Sequence, residues 1–127
     1  MEKKQLMEFQ RTQLRLKLEK FIMLGLWLDY CPEIHGKTYI YGAGILGKLV
    51  LRCFKNKPKS FIDVKNGLDD INGVPVLCLK NCKSPQFDSD DTIIVTPVWE
   101  FDEIKRNLLN IKYDINIVSL EKLMERI

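Results

Sequence analysis

Residues 38–63 read TYIYGAGILGKLVLRCFKNKPKSFID, and this stretch decides the fold. Residues 38–41 are β-prone and lead directly into a Gly-x-Gly-x-x-Gly motif at residues 42–47. The pattern then predicts a helix over residues 48–55 and a second strand over residues 60–64. A strand, a glycine loop, a helix and a second strand are the parts of a dinucleotide-binding βαβ unit. The sequence therefore predicts an α/β fold with parallel strands.

Each glycine of the motif has a separate physical role. Gly42 permits a tight turn out of the strand, and Gly44 has no Cβ, so that a pyrophosphate can approach its backbone. Gly47 lets the helix pack closely on the sheet, and the helix N-terminus offers unpaired N–H groups to a phosphate. Asp63 lies 21 residues beyond Gly42, where a carboxylate can accept hydrogen bonds from ribose hydroxyls and repel a 2′-phosphate. These features favour NAD or a UDP-type ligand over NADP, with a candidate binding loop formed by Gly42, Ala43, Gly44, Ile45, Leu46 and Gly47.

The rest of the chain continues the alternation of strands and helices. Short apolar runs predict strands over residues 74–79, 92–96 and 115–119. Helical patterns cover about residues 99–110 and residues 120–127. Strands that alternate with helices form a parallel sheet that is covered on both faces. We therefore expect a three-layer, Rossmann-like α/β domain whose parallel sheet has about five strands in the order 3-2-1-4-5.

Turn signals and a proline subdivide the middle of the chain. The dipeptides Asn66-Gly67 and Asn72-Gly73 are predicted turns. Pro75 follows the second of them and indicates a sheet edge or the start of a strand, because proline cannot donate to a strand ladder.

The far side of the pocket is expected at the end of the fourth strand, because ligands of doubly wound sheets bind outside the carboxyl ends of the strands. Thr96 and Pro97 are the candidate residues there. Trp99 follows closely and can either stack on a base or sugar or pack as a core residue. In the alternative interpretation the glycines serve only the turn and the packing, and the pocket is empty. We favour ligand binding, because the strand, the helix and the aspartate that the motif requires are all present.

The N-terminal segment carries a different pattern. Apolar residues recur on one face over residues 3–29, which predicts a long amphipathic helix that ends before Pro32. Residues 21–28 are apolar nearly all round, so this part needs burial on more than one side. It can pack on its own sheet, on a second copy of the chain in a homodimer, or on a partner enzyme. We therefore divide the chain into a helix and linker at 1–36 and a Rossmann-like nucleotide-binding domain at 37–127.

Composition limits the classes to which the chain can belong. Its 127 residues, 46% of them hydrophobic and 29% charged, are expected to form one globular core, too short for a two-domain dehydrogenase. The polar N-terminus and the short apolar run at residues 21–28 predict no secretory signal, no membrane span and a cytoplasmic location. The basic residues of segment 48–59 are interpreted as the solvated face of a helix, because no nucleic-acid-binding signature accompanies them.

The usual catalytic residues are missing from the sequence. His35 is the one histidine, and it lies in the loop before the first strand rather than at the strand ends. Four cysteines, at positions 31, 53, 78 and 82, form no Cys-x-x-Cys pair and are interpreted as buried, reduced thiols. The Tyr-x-x-x-Lys pair of sugar epimerases, the nucleophile elbow, the Walker loop and the zinc-protease motif are absent. We therefore expect no catalytic and no metal site, and a binding module rather than an enzyme by itself.

Residues 37–123 resemble a small nucleotide-binding domain of bacterial surface-polysaccharide pathways. This domain precedes the β-helix of sugar O- and N-acyltransferases and recurs beside sugar-modifying methyltransferases and epimerases. The resemblance rests on YGAGILG at residues 41–47, FID at 61–63, INGVPV at 71–76 and TIIV at 92–95. It implies that Gly42, Gly44, Gly47 and Asp63 hold the nucleotide of a UDP-sugar. Because the β-helix is absent, it does not imply transferase activity.

Three functional hypotheses follow from the sequence. The first is a non-catalytic nucleotide- or nucleotide-sugar-binding module that acts with partner enzymes in surface-glycan biosynthesis. The second is the NAD-binding part of an oxidoreductase or epimerase whose catalytic residues come from another chain. The third is a scaffold without a ligand that works by association through the helix at residues 3–29.

Overall fold

The computed structural model describes residues 2–64, 69–80 and 87–126. The strands are β1 (Thr38–Tyr41), β2 (Ser60–Asp63), β3 (Asp70–Ile71), β4 (Val74–Cys78), β5 (Thr92–Val95) and β6 (Asn116–Ser119). The helices are α1 (Lys3–Met23), α2 (Ile45–Arg52), α3 (Phe101–Ile111) and α4 (Leu120–Leu123), with 3₁₀ turns at Leu28–Tyr30, Val98–Glu100 and Met124–Arg126. The predicted turn at Asn66-Gly67 and the fourth cysteine, Cys82, lie outside the described residues.

The α/β class that the sequence predicts is confirmed. The strands lie in the order β3-β4-β2-β1-β5-β6, and all neighbours from β4 to β6 pair in parallel. All four residues of β5 are buried, as expected for a central strand covered on both faces. The glycine loop follows β1, so it lies at the carboxyl edge in the middle of the sheet.

The expected sheet of about five strands in the order 3-2-1-4-5 is corrected to six strands. The additional strand is β3, which pairs antiparallel with the start of β4 at the edge of the sheet. Between them Asn72 has a φ of 51° and Gly73 a φ of 83°. Two consecutive residues at positive φ make the type I′ turn that joins antiparallel strands. The Asn-Gly signal is therefore a hairpin, and β3 covers the start of β4, where Pro75 lies opposite Asp70.

The N-terminal helix is shorter than the predicted 3–29, because α1 ends at Met23. Gly25, at a φ of 70°, ends the helix in the left-handed conformation that glycine adopts readily. The N–H groups of Gly25 and Leu26 donate to carbonyls of the last helical turn at 3.0 and 3.2 Å, which is a Schellman motif. The apolar residues Leu26, Trp27 and Leu28 therefore lie outside the helix, which ends nine positions before Pro32.

The other helices differ from their predicted bounds at their ends. Helix α2 begins at Ile45, inside the glycine motif, rather than at residue 48. A 3₁₀ turn precedes α3, which begins at Phe101 rather than at residue 99. The closing helix is a single α-helical turn, α4, continued by a 3₁₀ turn.

Two apolar clusters fill the layers on either side of the sheet. One face packs against α1, α2 and α4 and includes Leu14, Leu18, Phe21, Ile40, Val50, Phe61, Ile94 and Leu120. The other packs against α3 and includes Tyr39, Ile62, Ile93, Val95, Ile104 and Leu108. Helix α1 thus shares a core with the sheet, and burial of each of its three large apolar side chains contributes about 1.5–3 kcal/mol. No helix in the described ranges has the length and hydropathy to cross a bilayer.

Candidate functional site

The loop between β1 and α2 places its three glycines in three different environments. Gly42 has a φ of 102°, and a Cβ there would overlap Thr96 Oγ1. A Cβ on Gly47 would overlap the carbonyl oxygen of Gly42, so the helix and the loop touch through backbone atoms. A Cβ on Gly44 would meet nothing within 4 Å. Two glycines are therefore required by the fold, whereas the space beside Gly44 is open.

The open space faces the first turn of α2. Gly44 is the N-cap residue, and the first hydrogen bond of the helix runs from Lys48 N–H to Gly44 O at 3.0 Å. The N–H groups of Ile45, Leu46 and Gly47 thus have no acceptor within the helix. Unpaired N–H groups and the positive end of the helix dipole favour an anion at this position.

The second wall of the site comes from the end of β5. Thr96 is buried, and its hydroxyl donates to the carbonyl of Tyr41 at 2.8 Å. The Thr96 N–H also donates to this carbonyl, at 3.1 Å. These two bonds fix the end of β5 against the end of β1, so that Pro97 lies beside Gly42.

Six of the predicted site residues line one cavity of about 300 Å³. They are Gly42, Gly44, Ile45, Leu46, Thr96 and Pro97. The volume is at the lower end of the range for small-molecule sites. Ala43 packs half-buried against the core, and Gly47 lies beneath the loop, so neither lines the cavity.

Asp63, the last residue of β2, is not among the residues that line this cavity. Its strand neighbours the loop, since Gly42 N–H donates to Ile62 O at 2.8 Å. Burial raises the pKa of Tyr41, and the carboxylates of Asp63, Glu100 and Glu103 raise it further. The Tyr41 hydroxyl therefore stays protonated at neutral pH, and this side of the sheet edge carries negative charge.

Arg11 of α1 completes the cavity and was not predicted from the sequence. Its guanidinium carbon lies 5.4 Å from the centre of the Trp99 ring, and both side chains line the cavity. A guanidinium over an indole face is a favourable cation–π arrangement. The helical spacing does indicate that Arg11 shares the buried face of α1. Arg11 is three residues from the buried Leu14 and seven from the buried Leu18.

A larger cavity, of about 470 Å³, shares Trp99 with the first. It opens at the end of β6 and is lined by charged side chains of both signs, including Lys3, Glu100, Arg106 and Lys122. It offers no glycine loop, and although the first turn of α3 borders it, the carboxylates of Glu100, Asp102 and Glu103 line it there and repel a phosphate. We therefore assign the site to the smaller cavity, where the backbone itself is accessible.

Other candidates for chemistry have structural roles. His35 Nδ1 lies 2.9 Å from Asp90 O, far in the fold from the glycine loop. Burial raises the pKa of Cys53 to about 12, so this thiol is not a nucleophile at neutral pH. Within the described ranges, no group of three or more His, Cys, Asp and Glu side chains is arranged to hold a metal ion.

No protein-family model, no curated protein and no solved structure matches this chain.

Proposed function

We propose that this chain is a nucleotide- or nucleotide-sugar-binding module that acts with partner enzymes in surface-glycan biosynthesis. The observation that carries the proposal is the open approach to Gly44 at the N-terminus of α2, in a cavity to which Arg11 adds a positive charge. A helix N-terminus and a guanidinium both bind phosphate oxygens.

The pyrophosphate is proposed to lie over Gly44. There it accepts hydrogen bonds from the first N–H groups of α2 and meets the guanidinium of Arg11. Trp99, at the same cavity, offers an aromatic face to the base or the sugar. Asp63 is proposed to reach the ribose hydroxyls from the neighbouring strand, which favours UDP-sugars or NAD over NADP.

The partner is proposed to dock on the outer face of α1. Leu6, Phe9 and Leu16 of this face are about half exposed, at 44%, 55% and 52%. Phe9 and Leu16 lie on the side of the helix away from the buried Leu14 and Leu18, and Leu6 lies on the flank between the two sides. Apolar side chains in such a row suit a second helix, either of a partner enzyme or of a second copy of the chain.

Thermal unfolding with UDP, a UDP-sugar, NAD and NADP tests the ligand. A ligand at 100 times its Kd raises the free energy of unfolding by about 2.7 kcal/mol. We expect a rise in Tm with UDP-sugars or NAD and a smaller rise with NADP. Asp63→Ala should reduce the rise, whereas Asp69→Ala, a surface control, should not. The absence of any rise across this panel would contradict the proposal.

A further inference from the structure

A cluster of exposed apolar side chains lies where α1 ends. Met23, Leu24, Leu26, Trp27 and Tyr30 are 86%, 59%, 43%, 37% and 70% exposed, and we call them the apolar tip. Five large apolar residues exposed within eight positions are far more than the scattered singles of an ordinary surface. The turn at Gly25 holds them together outside the core.

Basic residues lie next to the apolar tip. Leu28 N–H donates to Cys53 O at 2.9 Å, and the Asp29 carboxylate accepts from the backbone N–H groups of Lys55 and Asn56 at 2.8 and 3.0 Å. These bonds fix the end of α2 and the following loop beside the tip. Residues 52–60 contain no Asp or Glu, and their exposed basic residues are Arg52, Lys55, Lys57 and Lys59.

A cavity of about 410 Å³ lies in this basic region. Its lining includes Phe54, Lys57 and Lys59. Asp29 also lines it, but its carboxylate already accepts the two backbone hydrogen bonds from Lys55 and Asn56. Lys37 also lines it and pairs with Asp88 at 2.9 Å. The cavity adjoins the starts of β1 and β2, which is the edge of the sheet opposite the glycine loop.

We propose that the apolar tip and its basic neighbours bind the surface of an anionic phospholipid bilayer. Tryptophan, tyrosine and leucine side chains enter the interface between headgroups and acyl chains, and nearby lysines and arginines are attracted by anionic lipids. The cavity beside Lys57 and Lys59 accommodates a phosphate-bearing headgroup. The chain thus lies on the membrane without crossing it, and the opposite edge of the sheet keeps the glycine loop accessible.

Charge favours a bilayer over a second copy of the chain at this surface. In a twofold dimer the patch meets its own copy, which brings a second set of the same basic residues to the interface. Like charges placed in this way oppose association, whereas an anionic bilayer neutralises them.

Co-sedimentation of the full chain with vesicles tests the proposal. The vesicles contain either phosphatidylcholine alone or phosphatidylcholine with about 30% phosphatidylglycerol. We expect binding to the anionic vesicles and little to the neutral ones. Lys55→Glu with Lys57→Glu should lower the molar partition coefficient about tenfold or more. Lys4→Glu with Lys105→Glu, which changes the net charge equally at other exposed positions, should lower it much less.

A pair of tyrosines separates insertion from simple charge attraction. Tyr30 and Tyr113 are both largely exposed, at 70% and 81%, and Tyr113 lies beyond α3, outside the tip. Tyr30→Ser should weaken vesicle binding several-fold, and Tyr113→Ser should not, with circular dichroism showing that both variants are folded. Three results would each overturn the proposal. The chain could bind neutral and anionic vesicles equally, or the two serine variants could have equal effects. The third is a dimer that Tyr30→Ser dissociates, without any vesicle binding.

Discussion

Replacing Gly44 by aspartate should preserve the fold and strongly weaken ligand binding. Gly44 is extended with a negative φ of −84°, as N-cap residues are, and a Cβ there meets nothing within 4 Å. Aspartate is a preferred N-cap residue, and its negative charge suits the positive end of α2. Gly44→Asp should therefore raise the free energy of unfolding by about 0.3–1 kcal/mol, seen as a rise in Tm of a few degrees.

The same carboxylate occupies the place proposed for the phosphate. Two like charges about 4 Å apart near a protein surface repel by up to about 4 kcal/mol. A loss of about 2–4 kcal/mol corresponds to a Kd about 30 to 1000 times higher, which calorimetric titration with the ligand measures. Gly44→Asn has a similar shape without the charge and should weaken binding less. Unchanged binding by the Gly44→Asp protein, or its failure to fold, would refute the reasoning.

Three further changes test the surroundings of the loop. Gly42→Ala should destabilise the chain by about 2–4 kcal/mol in chemical denaturation, because alanine is strained at a φ of 102° and its Cβ has no space. Arg11→Gln should raise the Kd for the ligand about tenfold and, by removing the cation–π contact with Trp99, lower the free energy of unfolding by about 0.5–1 kcal/mol, whereas Arg15→Gln, one turn further along α1, should leave the Kd unchanged. Cys53, whose pKa burial raises to about 12, should resist iodoacetamide at pH 8 in the folded chain, and mass spectrometry should show that the half-buried Cys78 reacts before Cys53. Because the unfolded thiol ionises at lower pH, this burial should also lower the free energy of unfolding between about pH 9 and 12.

The sequence predicted the βαβ unit around the glycine loop because local signals and long-range structure agree there. The β-prone run before Gly42, the glycine spacing and the apolar strand before Asp63 each have one physical interpretation in that order. The two strands that these signals predict, β1 and β2, are neighbours in the sheet, and the Gly42 N–H donates a hydrogen bond to Ile62 O near the end of β2.

Elements fixed by single torsions were harder to predict. The apolar pattern up to residue 29 predicted a helix through Gly25, but the helix ends at Met23 and Gly25 has a positive φ. A glycine after a periodic run is a signal that a helix stops there. A two-residue strand such as β3 has too few side chains for any periodicity, and only the turn at Asn72 and Gly73 indicates it.

Contacts between distant elements could not be predicted in the same way. Arg11 reaches the cavity only because α1 packs beside α2, and no local pattern specifies which sheet face a separate helix covers. Helical spacing places Arg11 beside the buried row, but the indole that it contacts belongs to a turn 88 residues later.

An amide NMR titration with a UDP-sugar and with NAD tests the central claim most directly. With the pyrophosphate bound at the open N-terminus of α2, the backbone N–H signals of Gly44, Ile45 and Leu46 should shift first and most. The indole N–H of Trp99 should follow in the same saturable titration. No shift with either ligand, or shifts confined to the larger cavity near Arg106 and Lys122, would contradict the account.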